Sequence, residues 1–146
     1  MSYGKIIIYS DGGARGNPGP AACGIIIKSF DRKIIGKFSK YLGITTNNQA
    51  EYAGILLGLE EAVKLGAKEI DFYLDSELAV NQLNRKFKVK DLAIQKVFVK
   101  IWNLSIGFKK ITYHHIPREE NKEADQMVNL ELDKLKTLDS KLQILL

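Results

Sequence analysis

KIIIYSDGGARGNPGP, residues Lys5–Pro20, opens on three consecutive isoleucines and closes on glycine and proline gathered after a single acid. β-Branched Ile6, Ile7 and Ile8, followed by Tyr9, suit a buried strand, so Lys5–Ser10 is predicted as one. The glycines and prolines beyond Asp11 predict a turn. Asp11 then stands at the carboxyl end of an apolar strand, where ligands of open α/β sheets bind, with no obvious helix to cap.

Downstream, Ala22–Lys28 and Lys33–Tyr41 read as two more strands, giving an antiparallel three-stranded meander. Thr46 or Asn47 can cap a helix on which Tyr52, Ile55, Leu56, Leu59, Ala62 and Val63 recur at helical spacing until Gly66. Ile70–Leu74 is a short apolar strand, and a helix over Ser76–Asn84 follows Asp75 directly. Asp91 can cap a third helix with Ile94, Val97, Phe98, Ile101 and Trp102 inward. Ile111–Ile116 is the last strand, and Asn121 begins the last long helix, with Ala124, Met127, Val128 and Leu135 inward. The class is α/β. The apolar LQILL ending, within a tail of about residues 137–146, is expected to dock on the protein's own surface.

At 146 residues the chain is expected to be one domain, able to bury roughly two thirds of its unfolded surface. Asp11 lies so near Met1 that no separate N-terminal module is expected. One cysteine, Cys23, excludes an intrachain disulfide and a thiolate metal site. The apolar run at Ile6–Tyr9 is too short for a signal-peptide core, and no stretch approaches transmembrane length. The expectation is a cytoplasmic monomer without membrane association. Net charge is +5 but uneven: Arg85–Lys110 carries eight Lys/Arg against Asp91 alone, and Pro117–Asp139 four against seven acids. The basic stretch suits a polyanion and the acidic one a metal, though lysines also solubilise any exposed helix face.

Four carboxylates sit in distinctive frames: Asp11 in YSDGGARGNPGP, Glu51 in TTNNQAEY, Asp75 in YLDSELAV and Asp125 in REENKEADQ. Singly, Asp75 and Asp125 also fit helix caps, and Glu51 a solvated helix face. Jointly, hard oxygen ligands point to Mg2+ or Mn2+ and not Zn2+. The four motifs, in this order and spacing, resemble the signature of type 1 ribonuclease H, over about Lys5–Leu132.

That resemblance implies a five-stranded mixed sheet in order 3-2-1-4-5 flanked by helices, and hydrolysis of the RNA strand of RNA/DNA hybrids with two metal ions. It implies that Asp11 bridges the ions, Asp125 helps hold the one activating water, and Glu51 and Asp75 hold the other. His115 matches a mobile histidine ten residues before the last aspartate; its loop, HIPREEN, departs from the commoner form, and Arg118 can replace it by holding a phosphate. Asn17, Asn47 and Asn48 match positions that touch 2′-hydroxyls or bases near the cut, Thr46 matches one that holds a DNA phosphate, and Gly12, Gly13 and Gly16 let backbone approach the RNA strand. These residue types also serve turns and caps. The basic, tryptophan-bearing protrusion of many relatives is missing, so Arg85, Lys86, Lys88 and Lys90 are candidates for the DNA strand, while Trp102 is expected in the core. Alternatives are a binding domain without cleavage, cleavage of double-stranded RNA, and a retroelement-type ribonuclease H.

Overall fold

A computed structural model of the chain describes residues 3–85 and 88–145, with all of their side chains except those at 139, 140, 143 and 145. Strands β1 (Lys5–Ala14), β2 (Gly19–Ser29), β3 (Ile34–Thr45), β4 (Glu69–Leu74) and β5 (Lys110–His115) form one sheet in the order β3-β2-β1-β4-β5, as expected. The first three run antiparallel; β4 is parallel to β1, and β5 to β4. The helices are α1 (Asn47–Lys64), α2 (Glu77–Leu83), α3 (Leu92–Ser105) and α4 (Lys122–Leu145), with a 3-10 turn at Arg118–Glu120 leading into α4.

The starts of α1, α2 and α3 are each fixed by a side chain. Thr46 Oγ1 accepts from the Gln49 N–H at 3.2 Å while the Thr46 N–H donates to Gln49 Oε1 at 3.3 Å, a reciprocal cap that satisfies two orphan donors. Ser76 caps α2 through the Ala79 N–H, and Asp91 caps α3 through the Ile94 N–H.

The main core lies between the sheet and α1 and α3. Ile6 and Ile8 of β1, Ile25 and Ile27 of β2, and Ile70 and Phe72 of β4 pack against Tyr52, Ile55 and Leu59, and α3 adds Ile94 and Ile101. Burying each such side chain contributes about 1.5–3 kcal/mol, the largest favourable contribution available here. On the opposite face, α4 lays Val128 and Leu132 on Ala22.

Two glycines set how close the helices come. A Cβ on Gly12 would lie 2.2 Å from the Ala50 carbonyl, and one on Gly24 would lie 2.5 Å from Met127 Cβ. The first turns of α1 and α4 therefore rest almost directly on strand backbone.

Three expectations are corrected. β1 does not turn after Asp11 but continues to Ala14, because Asp11, Gly12, Gly13 and Ala14 pair with Gly24, Cys23, Ala22 and Ala21; the β2 ladder outweighs the poor strand propensity of glycine. Val63 and Trp102 are 53% and 43% exposed, since each stands one residue, about 100° of helix rotation, past a residue that already fills the core. The described part of the tail continues α4 to Leu145, with Leu138, Leu142 and Ile144 in solvent and not docked, while Leu146 lies outside the described residues.

Gly12→Ala is expected to destabilise the protein by about 3 kcal/mol, the upper end for overpacking, because the obstacle is backbone that cannot change rotamer. Urea unfolding compared with wild type measures it.

Candidate active site

Four elements each deliver one acid to the carboxyl end of β1 and β4. Asp11 lies in β1, beside Gly24 of β2. Ser10 pairs with Leu74, so Asp75 follows β4 one residue beyond the last paired position, next to Asp11. Glu51 sits just past the capped first turn of α1, and Asp125 in the first turn of α4.

Ligand oxygens of Asp11, Glu51 and Asp75 all lie within 4.8 Å of one another. Asp125, exposed on α4, stands near enough to Asp11 to raise its carboxyl, and accepts from Asn129 Nδ2 at 3.4 Å. Asp11, Glu51 and Asp125 line a cleft of about 280 Å3, shared with Arg118 and Asn47. Thus the acids expected to converge do so, three as a tight group and the fourth against Asp11.

Such crowding is costly without a cation. Burial first, then the charges of Asp75 and Glu51 and the hydrogen bond with Asp125, push the Asp11 carboxyl up to about 8, against a smaller lowering by the Gly12 N–H. Burial and then the Asp75 charge push Glu51 up to about 7, opposed by a hydrogen bond from Ser76 and by the Arg118 charge. Like charges in a partly dehydrated site favour protonation or a bound cation. An all-oxygen set of this kind fits a hard divalent metal.

Other expected residues divide. Arg118, on the 3-10 turn, faces the cleft. His115 is exposed at the end of β5, opposite Leu74 in register, and is not among the residues lining the cleft. His114 is engaged structurally: Nε2 lies 3.3 Å from Asp71 Oδ1, and its ring stacks on Tyr73 at 4.8 Å.

Asn17 and Asn47 use their side-chain oxygens within the protein. Asn47 Oδ1 accepts from the Ala14 N–H at 2.8 Å, and Asn17 Oδ1 from the Asn47 N–H at 3.1 Å. Each Nδ2 is left as a donor. Asn17, Thr46, Asn47 and Asn48 form one depression beside Asp91, and Gly13 keeps open space over its backbone, with its nearest neighbours at 3.9 Å or more.

The basic connection ends at Asp91, beside this depression. Its backbone is clamped by two amides: Gln82 Nε2 donates to Lys88 O at 3.2 Å, and Gln95 Nε2 to Val89 O at 2.9 Å. The buried Tyr52 hydroxyl donates to Gln82 Oε1, which ties the clamp to α1. Lys88 is exposed, Lys86 lies outside the described residues, and the Arg85 guanidinium sits 4.0 Å over the Trp102 ring. Trp102 therefore belongs to the basic surface.

Sequence reasoning treated Asn121 only as the start of the last helix. It is 1% exposed, and Nδ2 donates both to Ser10 O and to Asp75 Oδ2 at 2.9 Å. A short amide four residues before an acid is too common a pattern to have revealed this.

Residues 9–131 match the family model described as reverse transcriptase-like. The ribonuclease H of Ruthia magnifica subsp. Calyptogena magnifica is 32% identical over 149 residues, covering 91% of this chain and 99% of that protein. The chain belongs to the ribonuclease H family. A bifunctional protein of Mycobacterium tuberculosis is 40% identical over 130 residues, 88% of this chain, and the chain spans only 36% of its length. Among solved structures, LC11 ribonuclease H1, recovered from compost by a metagenomic approach, was determined with an RNA/DNA hybrid; it is 41% identical, with a TM-score of 0.86 over 89% of this chain and 98% of that one. This ribonuclease H domain has the overall fold of that solved structure.

The raised Asp11 carboxyl fixes the sign of a pH effect in chelator. Between the unfolded value of 3.8 and the folded value of about 8, the folded state holds a proton that the unfolded state has lost, so stability falls as pH rises through that window. Asp11→Asn mimics the protonated group, so metal-free wild type is expected to lose melting temperature relative to the variant between pH 5 and pH 8. Parallel curves from thermal unfolding in chelator would contradict this.

Proposed function

We propose that the chain is a metal-dependent endonuclease that hydrolyses the RNA strand of RNA/DNA hybrids. The observation that carries this reading is the convergence of Asp11, Glu51 and Asp75 within 4.8 Å, with Asp125 lining the same cleft as Asp11 and Glu51. Its support from relatives is the hybrid in the LC11 ribonuclease H1 structure.

Asp11, Glu51, Asp75 and Asp125 would hold two divalent cations, Mg2+ or Mn2+ in its place. When bound, the ions supply an activated water and stabilise the charge that builds on the leaving 3′ oxygen, giving 5′-phosphate and 3′-hydroxyl ends. The chain's own residues set the conditions. Asp11 and Glu51 must lose their protons to act as ligands, so metal and protons compete for the site. Arg118, facing the cleft, holds a phosphate and offsets part of the acid charge. His115, at the same end of the sheet, assists product release or carries a proton.

Selectivity rests on sensing the 2′-hydroxyl, which both donates and accepts. Asn17, Asn47 and Asn48 present amides around one depression, Gly13 allows close backbone approach, and Thr46 meets a DNA phosphate. The DNA strand continues along the basic connection, with Lys86, Lys88 and Arg85 on its phosphates.

The decisive experiment is a gel with labelled RNA/DNA, RNA/RNA and DNA/DNA duplexes in Mg2+, Mn2+ or chelator. The hybrid alone is expected to be cut, only with metal, and at least about 100-fold more slowly by Asp11→Asn, as for loss of a key electrostatic group. Cutting of RNA/RNA at a similar rate would replace the substrate assignment. Separately, Lys88→Ala is expected to weaken hybrid binding and lower the slope of log affinity against log salt by about one, the signature of a lost phosphate contact; an unchanged slope removes Lys88 from the interface.

A further inference from the structure

We propose that Asn121 is a positioning residue: its side-chain amide fixes the rotamer of Asp75, and its backbone sets Asp125, so that one buried residue holds three elements of the site in register. This rests on reading the carboxylate cluster as the metal-dependent nuclease site.

The two hydrogens of Nδ2 have two acceptors, Ser10 O and Asp75 Oδ2, both at 2.9 Å. Flipping the amide would bring Oδ1 against both oxygens, so the chemistry of the neighbours sets its orientation. Ser10 is the residue before Asp11 in β1, and the Asn121 carbonyl accepts the Asp125 N–H at 3.1 Å. Asn121 thereby references β1, the end of β4 and the start of α4 to one point.

An ordinary helix-start residue has no reason to be built this way. Asn121 is 1% exposed, and its Oδ1 is buried with no hydrogen-bond partner among the described residues. Leaving a buried acceptor unsatisfied costs stability, so stability alone is a poor reason for an amide here. Its arrangement suits the acids instead. Asp75 is repelled by Asp11 and Glu51 and, unrestrained, would rotate away from them. A lysine or arginine would hold it but bring a charge that competes with a cation; an aspartate would add to the repulsion. A neutral donor with two hydrogens on a short stem holds Asp75 inward and leaves its charge for a metal.

The test uses the full chain as wild type, Asn121→Ala and Asn121→Asp, with Ile101→Ala as a core variant destabilised away from the site. Hybrid cleavage gives kcat and KM, and calorimetric titration with Mg2+ alone gives metal affinity without nucleic acid. Both Asn121 variants are expected to lose about 10–100-fold in kcat and in Mg2+ affinity, the usual cost of removing a partner that orients a ligand. KM is expected to stay within about twofold, because no substrate contact is removed. Ile101→Ala should lose melting temperature while keeping kcat and Mg2+ affinity.

Folded Asn121 variants with wild-type kcat and Mg2+ affinity overturn the proposal, and so does an equal loss in Ile101→Ala. Should neither Asn121 variant fold, the wild type decides: its Asn121 side-chain NH2 resonances must shift as Mg2+ is titrated, and an unmoved pair overturns the assignment. A wild type that neither binds Mg2+ nor cuts hybrid brings down the reading of the site itself, and this proposal with it.

Discussion

Carboxylates that repel one another are held together here by backbone contact. At Gly12 the first turns of α1 rest on β1, and at Gly24 the start of α4 rests on β2, where any Cβ would collide. Those two contacts bring Glu51 and Asp125 toward Asp11, and the parallel pairing of β1 with β4 delivers Asp75 beside it. The isoleucine core under α1 and α3 supplies the stabilisation against which this repulsion is sustained. Fold and site are therefore linked through the absence of two methyl groups.

The electrostatic layout has two poles joined by structure. Acids gather at the sheet end, whereas the connection between α2 and α3 is basic and has its backbone pinned by Gln82 and Gln95. It ends at Asp91, whose cap on α3 lies beside Thr46 and Asn48 at the start of α1. A polyanion lying over the start of α1 has cations within reach on one side and the cleft on the other.

Much of this was legible in sequence because the signals were local. β-Branched runs marked the strands, Thr46, Ser76 and Asp91 marked helix starts, and the frames around the four acids marked the site. What stayed hidden depended on partners distant in the chain. The extension of β1 through Gly12 and Gly13 comes from its ladder with β2. The amide of Asn121 acquires its meaning only when Ser10, 111 residues away, and Asp75, 46 away, fold against it. Trp102 shows that hydrophobicity is not burial: its position on α3 turns it off the core. Leu142 and Ile144 are exposed for a similar reason: the helix continues through them, and its rotation, not their hydrophobicity, sets where they face.

The outward turn of Trp102 has a practical side. It is the only tryptophan of the chain, 43% exposed, with a guanidinium 4.0 Å above the ring. Its excited state is sensitive to water and to that nearby cation, and no second indole dilutes the signal. A nucleic acid that draws Arg85 toward phosphate would lift the cation from the ring, making the native chain its own fluorescent indicator of occupancy along the basic connection, without a label.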